Sequence, residues 1–283
     1  MIVYFNEHKK NKLSLTGGKG FNLINLYCNK FNVPYGFVIT TKAYEDFIEI
    51  NELKDVIIKE VRNIDVDNHK LLEDASRKLR KLITDENIME HLEKDIKNSL
   101  KKLKGKKFAI RSSATTEDLI TASFAGQQDS YLNVKEIGIM DAVKKCWASL
   151  FNARAIFYRY KKNIPHHLAS MAVVVQEMVD ADFAGVVFTV DPVRKKHILV
   201  EAAHGLGEKV VSGSVTPSSY LVDRKSFKII EKNINYEIDE KNIKDIAKIG
   251  IKIEKHYKRP QDIEFAVKGK EIFILQSRAI TTL

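Results

Sequence analysis

The residues most suited to chemistry lie near the C-terminus. Asp262, Glu264, Gln276 and Arg278 flank the run Lys268-Gly269-Lys270 within DIEFAVKGKEIFILQSRAI. A glycine between two apolar runs of that length predicts a β-hairpin. With Gly269 at the centre of a three-residue loop, Glu264 falls opposite Ile274 and Asp262 opposite Gln276. Side chains alternate across a strand, so all four polar residues project from one face. Ile263, Phe265 and Val267 then point the other way, into a core shared with Phe273 and Leu275. A carboxylate and an amide oxygen on adjacent strands form a hard-oxygen site suited to magnesium, with an arginine beside it for phosphate. The same pattern also describes the solvated side of an ordinary hairpin, and a slip of one residue would scatter the cluster.

Two further cations sit in settings suited to phosphate. Lys19 lies within TGGKG, residues 16–20, where glycines allow close backbone approach and lysine supplies a mobile charge. The spacing is not that of a Walker A loop, because Gly20 stands where Ser or Thr should follow. Arg111 ends a strand-like run and is followed by Ser112, Ser113, Thr115 and Thr116. Gly126, in SFAGQQDSY, offers a flexible point for a lid over a nucleotide. On spacing alone TGGKG reads better as a plain turn with an exposed lysine, and the Arg111 and Gly126 segments read equally well as ordinary polar loops.

The elements that must position these residues follow from periodicity. Residues 1–40 alternate short apolar runs with turns, and the pattern predicts a strand in FNVPYGFVITT. From Ala43 to Lys104 apolar residues recur three or four apart, predicting a helical region that Gly105 closes. KKFAIRSSAT reads as a strand entering a polar loop. DAVKKCWASLFNARAIFYRYKK reads as one long helix, with Val143, Cys146, Trp147, Leu150, Arg154, Phe157 and Tyr158 along a single stripe. Strand-like runs follow at MAVVVQEMV, AGVVFTV, HILVEAA and KIIEKNINYEI, and the helical KDIAKIGIKIEKHYK precedes the hairpin. This mixture predicts an α+β chain with antiparallel sheets.

Composition narrows the class. The 283 residues are 44% hydrophobic and 30% charged, as expected of a folded globular chain. No apolar run approaches the ~18 residues of a membrane span. MIVYFNEHKK turns polar too soon for a signal peptide, which predicts a cytoplasmic protein. Cys28 and Cys146 are too few and too distant for a metal knuckle or disulfide framework, and Cys146 reads as a buried, inert thiol. The net charge of +10 is spread through mixed-charge helix faces, with no nucleic-acid-binding signature.

Taken in order, the segments resemble a known family. LTGGKGFNL with VPYGFVITTKAY, then FAIRSSATTEDLITASFAGQQDSYLNV, CWASLFNARAIFYR, VVVQEMVDADFAGVVFTVDP, and GLGEKVVSGSVTP with HYKRPQDIEFAV and ILQSRAIT run along nearly the whole chain. This series resembles the N-terminal ATP-binding domain of phosphoenolpyruvate synthase, pyruvate phosphate dikinase and rifampicin phosphotransferase. The resemblance implies an ATP-grasp-like fold, two lobes with antiparallel sheets clamping ATP, the N-terminal lobe carrying a helical insertion. It implies a first lobe over residues 1–175 and a second over 176–283. It further implies Lys19 and Arg111 as phosphate groups, Glu264 and Gln276 as Mg2+ ligands, and Asp262 with Arg278 as the flanking pair. Gly126 falls in the family's glycine loop. Gln176, Glu177, Met178 and Val179 match the segment whose backbone receives adenine, and Glu201 falls near ribose or phosphate. Ile120, Ser218 and Ala279 depart from residues usual in the family, and none of them removes a charged group.

The implied activity is a dikinase that moves the β-phosphoryl group of Mg-ATP to a histidine on a separate carrier domain. That domain and a pyruvate-type substrate domain are expected on another chain or beyond this sequence, since no histidine here sits in a carrier motif. An antibiotic acceptor of the rifampicin type is the alternative within the same chemistry. A non-catalytic nucleotide-binding module is the alternative from a different class. Neither a nucleic-acid partner nor a membrane is expected.

Overall fold

The computed structural model describes residues 1–281 except 63, 116–128, 167–168, 206, 208–209 and 211–212. The chain divides into two units, one of residues 1–28 and 35–178, the other of residues 29–34 and 179–283.

The first unit is built on a five-stranded antiparallel sheet. Its strands are β1 (Ile2–Tyr4), β2 (Gly36–Ile39), β3 (Phe108–Ala114), β4 (Ser130–Val134) and β5 (Met171–Glu177), in the order β1-β2-β5-β3-β4. Helix α1 (Leu13–Cys28) packs against β3 and β5. The helical region predicted before Gly105 resolves into α2 (Thr41–Ile50), α3 (Leu53–Arg62), α4 (His69–Asp85) and α5 (Glu90–Leu100). Helix α4 starts where the Asn68 side chain accepts the Leu71 N–H at 3.2 Å, and it buries Leu72, Leu79 and Ile83. Each such leucine or isoleucine contributes roughly 1.5–3 kcal/mol of transfer free energy. These side chains join Phe37, Ile39, Ile110 and Val173 of the sheet in one core.

The single helix predicted over 141–162 is in fact two. Helix α6 (Ile139–Ala148) buries Val143, Cys146 and Trp147, a 3-10 turn follows at Ser149–Phe151, and α7 (Ala153–Lys161) restarts with a different phase. The buried face of α7 is Ala155, Ile156 and Arg159, while Arg154 and Phe157 are exposed. The break shifts the stripe, and it is stabilised by Arg159, which donates to Leu150 O and to His166 Nδ1 (3.0 Å). Cys146 is fully buried, and burial pushes its thiol well above the ordinary range.

The second unit is a six-stranded antiparallel sheet. Its strands are β6 (Phe183–Phe188), β7 (Ile198–His204), β8 (Ser218–Val222), β9 (Ile229–Asn233), β10 (Gln261–Lys268) and β11 (Glu271–Ala279), in the order β11-β10-β6-β7-β8-β9. Helix α8 (Glu240–Tyr257) begins at Asp239, whose side chain accepts the Lys241 N–H, and ends at left-handed Lys258. It buries Ile243, Ile246, Ala247 and Ile253, and a Cβ at Gly250 would meet Thr189 and Val187 at 3.4 and 3.5 Å. Val187 pairs with Ile263, so α8 covers the face that carries Ile263, Phe265 and Val267, all with no exposed surface. The segment Asn29–Pro34 adds Asn32, which bonds Ile272 O (2.9 Å) and Ile274 N (2.8 Å) along β11. Among the described residues no helix is long and apolar enough to cross a membrane.

Candidate functional site

The β10–β11 hairpin forms as predicted, but with a different register. Lys268 pairs with Glu271, so the loop is the two residues Gly269-Lys270, with Gly269 at φ +59°. Such a loop suits a glycine in its first position. Glu264 lies opposite Gln276 rather than Ile274, and Asp262 lies opposite Arg278 rather than Gln276. Between these pairs and the loop the register shifts by one residue, leaving Leu275 as a bulge.

That bulge decides which way β11 faces. Below it Ile274 pairs with Phe265 and is 2% exposed, on the side of α8. Above it Gln276 and Arg278 pair with Glu264 and Asp262, on the opposite side. In a regular strand Ile274 and Gln276, two residues apart, would share a face. The core partners of β10 are therefore Ile272 and Ile274, and the expectation of Phe273 and Leu275 in that core is corrected. Phe273 pairs with Ala266 and Leu275 sits in the bulge, so neither stands opposite Phe265 or Val267.

The face opposite α8 carries two polar rows. One runs Gln276, Glu264, Val186, Glu201, Ser219 across four of the pairings in the sheet. The other begins Arg278, Asp262, Phe188. Arg278 donates from Nε and Nη2 to Asp262 Oδ2 at 2.9 and 2.7 Å. Burial raises the Asp262 carboxyl above its ordinary value, Arg278 opposes that shift and Glu264 adds to it. Burial likewise raises Glu201, with the Asp191 and Asp262 charges adding to the effect. Asp191, 4% exposed, escaped the sequence reading although it ends the strand-like run FTVD. Its Oδ1 accepts the Val193 N–H at 2.8 Å.

The donor set fits a hard cation completed by a ligand. Among the described residues no three His, Cys, Asp or Glu side chains converge as a ready-made metal cluster. Glu264 and Gln276 offer two oxygens, and magnesium held by one or two protein groups takes its remaining ligands from phosphate and water.

In the first unit the expected turn at residues 16–20 is instead part of α1, which breaks at Gly17 (φ 64°, ψ 175°). A Cβ at Gly17 would lie 2.1 Å from the Ser113 carbonyl oxygen, so the break is a close passage of two backbones. Ser113 secures it. Its Oγ accepts the Gly20 N–H at 3.0 Å and donates to Thr16 O at 2.8 Å. This buried hydroxyl links the lysine-bearing helix to the strand that carries Arg111, and no local signal marks it. Lys19 is partly buried beside this junction. Arg111 is 8% exposed and sits at mid-sheet, paired with Val174 and Ser130. Burying an arginine within a strand is costly unless other groups compensate its charge.

The remaining expected positions are distributed as follows. Gln176 is buried, its backbone paired with Gly36 and Ala109. The Glu177 and Met178 N–H groups donate to Tyr35 O and Lys107 O, and the Glu177 side chain holds the Lys104 and Gly105 N–H groups. Val179 is the first residue of the second unit after Met178. Gly126 lies outside the described residues. Ser218 is buried and accepts the Asn235 and Tyr236 N–H groups, which accounts for a hydroxyl there in structural terms.

Comparison with known proteins agrees with the nucleotide reading. The profile of the pyruvate phosphate dikinase, AMP/ATP-binding domain family matches residues 13–237 and 233–283. A probable phosphoenolpyruvate synthase of Methanothermobacter thermautotrophicus is 41% identical, over all of this chain and 46% of its own length. The phosphoenolpyruvate synthase of Pyrococcus furiosus is 36% identical, over all of this chain and 44% of its own. The rifampicin phosphotransferase of Bacillus subtilis is also 36% identical, over all of this chain and 36% of its own. The chain thus spans less than half the length of these relatives.

Proposed function

The chain belongs to the pyruvate phosphate dikinase AMP/ATP-binding family, and from that premise we propose that it binds Mg-ATP for phosphoryl transfer to a histidine of a carrier domain. The observation that carries this reading is the direct pairing of Glu264 with Gln276, in one row with Glu201 and beside the Asp262–Arg278 pair. An anionic face with raised carboxyl pKa values favours a bound cation, because the cation offsets the cost of ionising them. Magnesium there supplies charge neutralisation at the phosphates. Lys19 and Arg111 add positive charge, and adenine would meet the Gln176–Val179 segment through backbone groups other than the Glu177 and Met178 N–H groups, which Tyr35 O and Lys107 O already accept. The ATP-grasp arrangement implied by the family is part of the same proposal.

The chemistry proposed is attack of a histidine nitrogen on the β-phosphorus. The bond from the β-phosphorus to the oxygen bridging it to the α-phosphorus breaks, and AMP leaves with the electron pair. The histidine holds the β- and γ-phosphoryl groups until water removes the γ-group as inorganic phosphate. Little covalent help is required, so the work falls to positioning and charge. The greater length of the relatives supports an acceptor domain separate from these residues. The rifampicin phosphotransferase relative supports a second reading, the same ATP chemistry serving an antibiotic acceptor.

Calorimetry tests the shared core of both readings. Mg-ATP should bind the wild type at least about tenfold more tightly than a Glu264→Ala, Gln276→Ala double variant. Equal affinity would overturn the assignment. AMP release on mixing with a carrier domain from a relative separates phosphoryl transfer from passive binding.

A further inference from the structure

The helix-covered side of the first unit holds a cavity of about 740 Å3 that the nucleotide chemistry above does not use. It opens between α4, β4 and α6, and its wall includes Ser76, Arg77, Arg80, Lys81, Tyr131 and Lys145. Tyr131 pairs with Ile110, which lies in the helix-covered core. Arg111, one residue on, pairs with Ser130 and projects to the other side of the sheet. The cavity and Arg111 therefore belong to opposite faces.

The charges in the wall do not cancel. Arg77 contacts Asp74 and Lys81 contacts Asp85, each within α4. Among the described residues neither Arg80 nor Lys145 makes an ion pair, and Lys145 lies 6.0 Å from the Tyr131 ring centre. The acidic side chain in the wall is Glu73. Asp129 accepts the Tyr131 hydroxyl at 2.8 Å and keeps its negative charge, but it is not part of the wall. The C-terminus of α4 would contribute negative partial charge, but Lys144 Nζ caps Thr84 O (2.7 Å) and Glu86 O (3.0 Å). What remains is an open groove whose wall carries Arg77, Arg80, Lys81 and Lys145 against the single carboxylate of Glu73, of a volume within the roughly 300–1,000 Å3 common for ligand sites.

We propose that this cavity is a second anion site, taking a small phosphorylated ligand whose phosphoryl oxygens lie between Arg80 and Lys145. Ser76 and Thr84 offer hydroxyls at the same wall.

Pyrophosphate is the probe, titrated calorimetrically into the full chain. In a Lys19→Ala variant, which weakens the proposed nucleotide site, a pyrophosphate event remains within about twofold of its wild-type affinity. In an Arg80→Gln, Lys145→Gln variant that event weakens at least about tenfold, while the Mg-ATP event that depends on Glu264 and Gln276 is kept. Both residues are exposed, so the fold tolerates the change. Arg80→Glu, which places a carboxylate in the wall, gives a larger loss. Wild-type pyrophosphate affinity in either cavity variant overturns the site. So does a wild-type pyrophosphate event that Lys19→Ala abolishes.

Discussion

The β10–β11 hairpin and the α1–β3 junction both present groups suited to phosphate or metal, yet they are held in opposite ways. In the hairpin, Glu264 and Gln276 are neighbours because two adjacent strands pair across a two-residue loop. At the junction, Lys19 and Arg111 depend on contacts such as Gly20 N–H to Ser113 Oγ, between residues 93 apart in the chain. Local pairing makes the first arrangement readable and tolerant of change elsewhere in the unit. Long-range closure makes the second invisible to periodicity and sensitive to single atoms.

Three changes test that contrast, taken from the largest effect to the smallest. Inserting one alanine between Glu264 and Phe265 gives Leu275 a partner and removes the bulge, so either Gln276 and Arg278 turn toward α8 or Ile272 and Ile274 turn away from it. Burying an unpaired charge or exposing two isoleucines costs about 3–5 kcal/mol, to be read from urea unfolding. A loss under ~1 kcal/mol would show that the apolar pattern does not hold the register. Gly17→Ala forces a Cβ onto the Ser113 backbone at a φ of +64° and should cost about 3 kcal/mol by the same measurement. Stability equal to wild type would mean that the helix does not break there.

The smallest effect concerns pH. Burial raises Asp262 above its ordinary value of 3.8 and Arg278 opposes the shift, so Arg278→Gln raises it further. A carboxyl raised in the folded state adds stability below about pH 4 and loses it as pH climbs through the raised value. The variant should therefore lose stability more steeply than wild type between about pH 4 and 7, by about 1 kcal/mol or less, given the partial exposure of the pair. Parallel pH profiles would remove Arg278 from that role.

The α+β class and the antiparallel pairing were legible because period-two and helical spacing survive in each segment. That Asp262, Glu264, Gln276 and Arg278 share a face was also legible, but the pairs themselves were not. Alternation cannot reveal a bulge, so it points Phe273 and Leu275 toward a core that Ile272 and Ile274 face instead. The continuous stripe from Val143 to Tyr158 hid the turn at Ser149–Phe151, because apolar spacing persists through a short 3-10 segment while the facing direction rotates. Ser113 looked like one hydroxyl in a polar loop. Its buried role depends on a backbone passage at Gly17 that only tertiary structure reveals.

The short stretch Asn29–Pro34 bears on how this molecule can be taken apart. It belongs to the second unit although the chain before and after it belongs to the first, and Asn32 secures β11 through two hydrogen bonds. The polypeptide therefore changes unit three times instead of once. A cut after Met178, the obvious place to divide the chain for separate expression, would leave the second fragment without a strap on its terminal strand. Any attempt to reconstitute the protein from halves must carry that six-residue piece across, as a supplied peptide or by rejoining the chain in a new order.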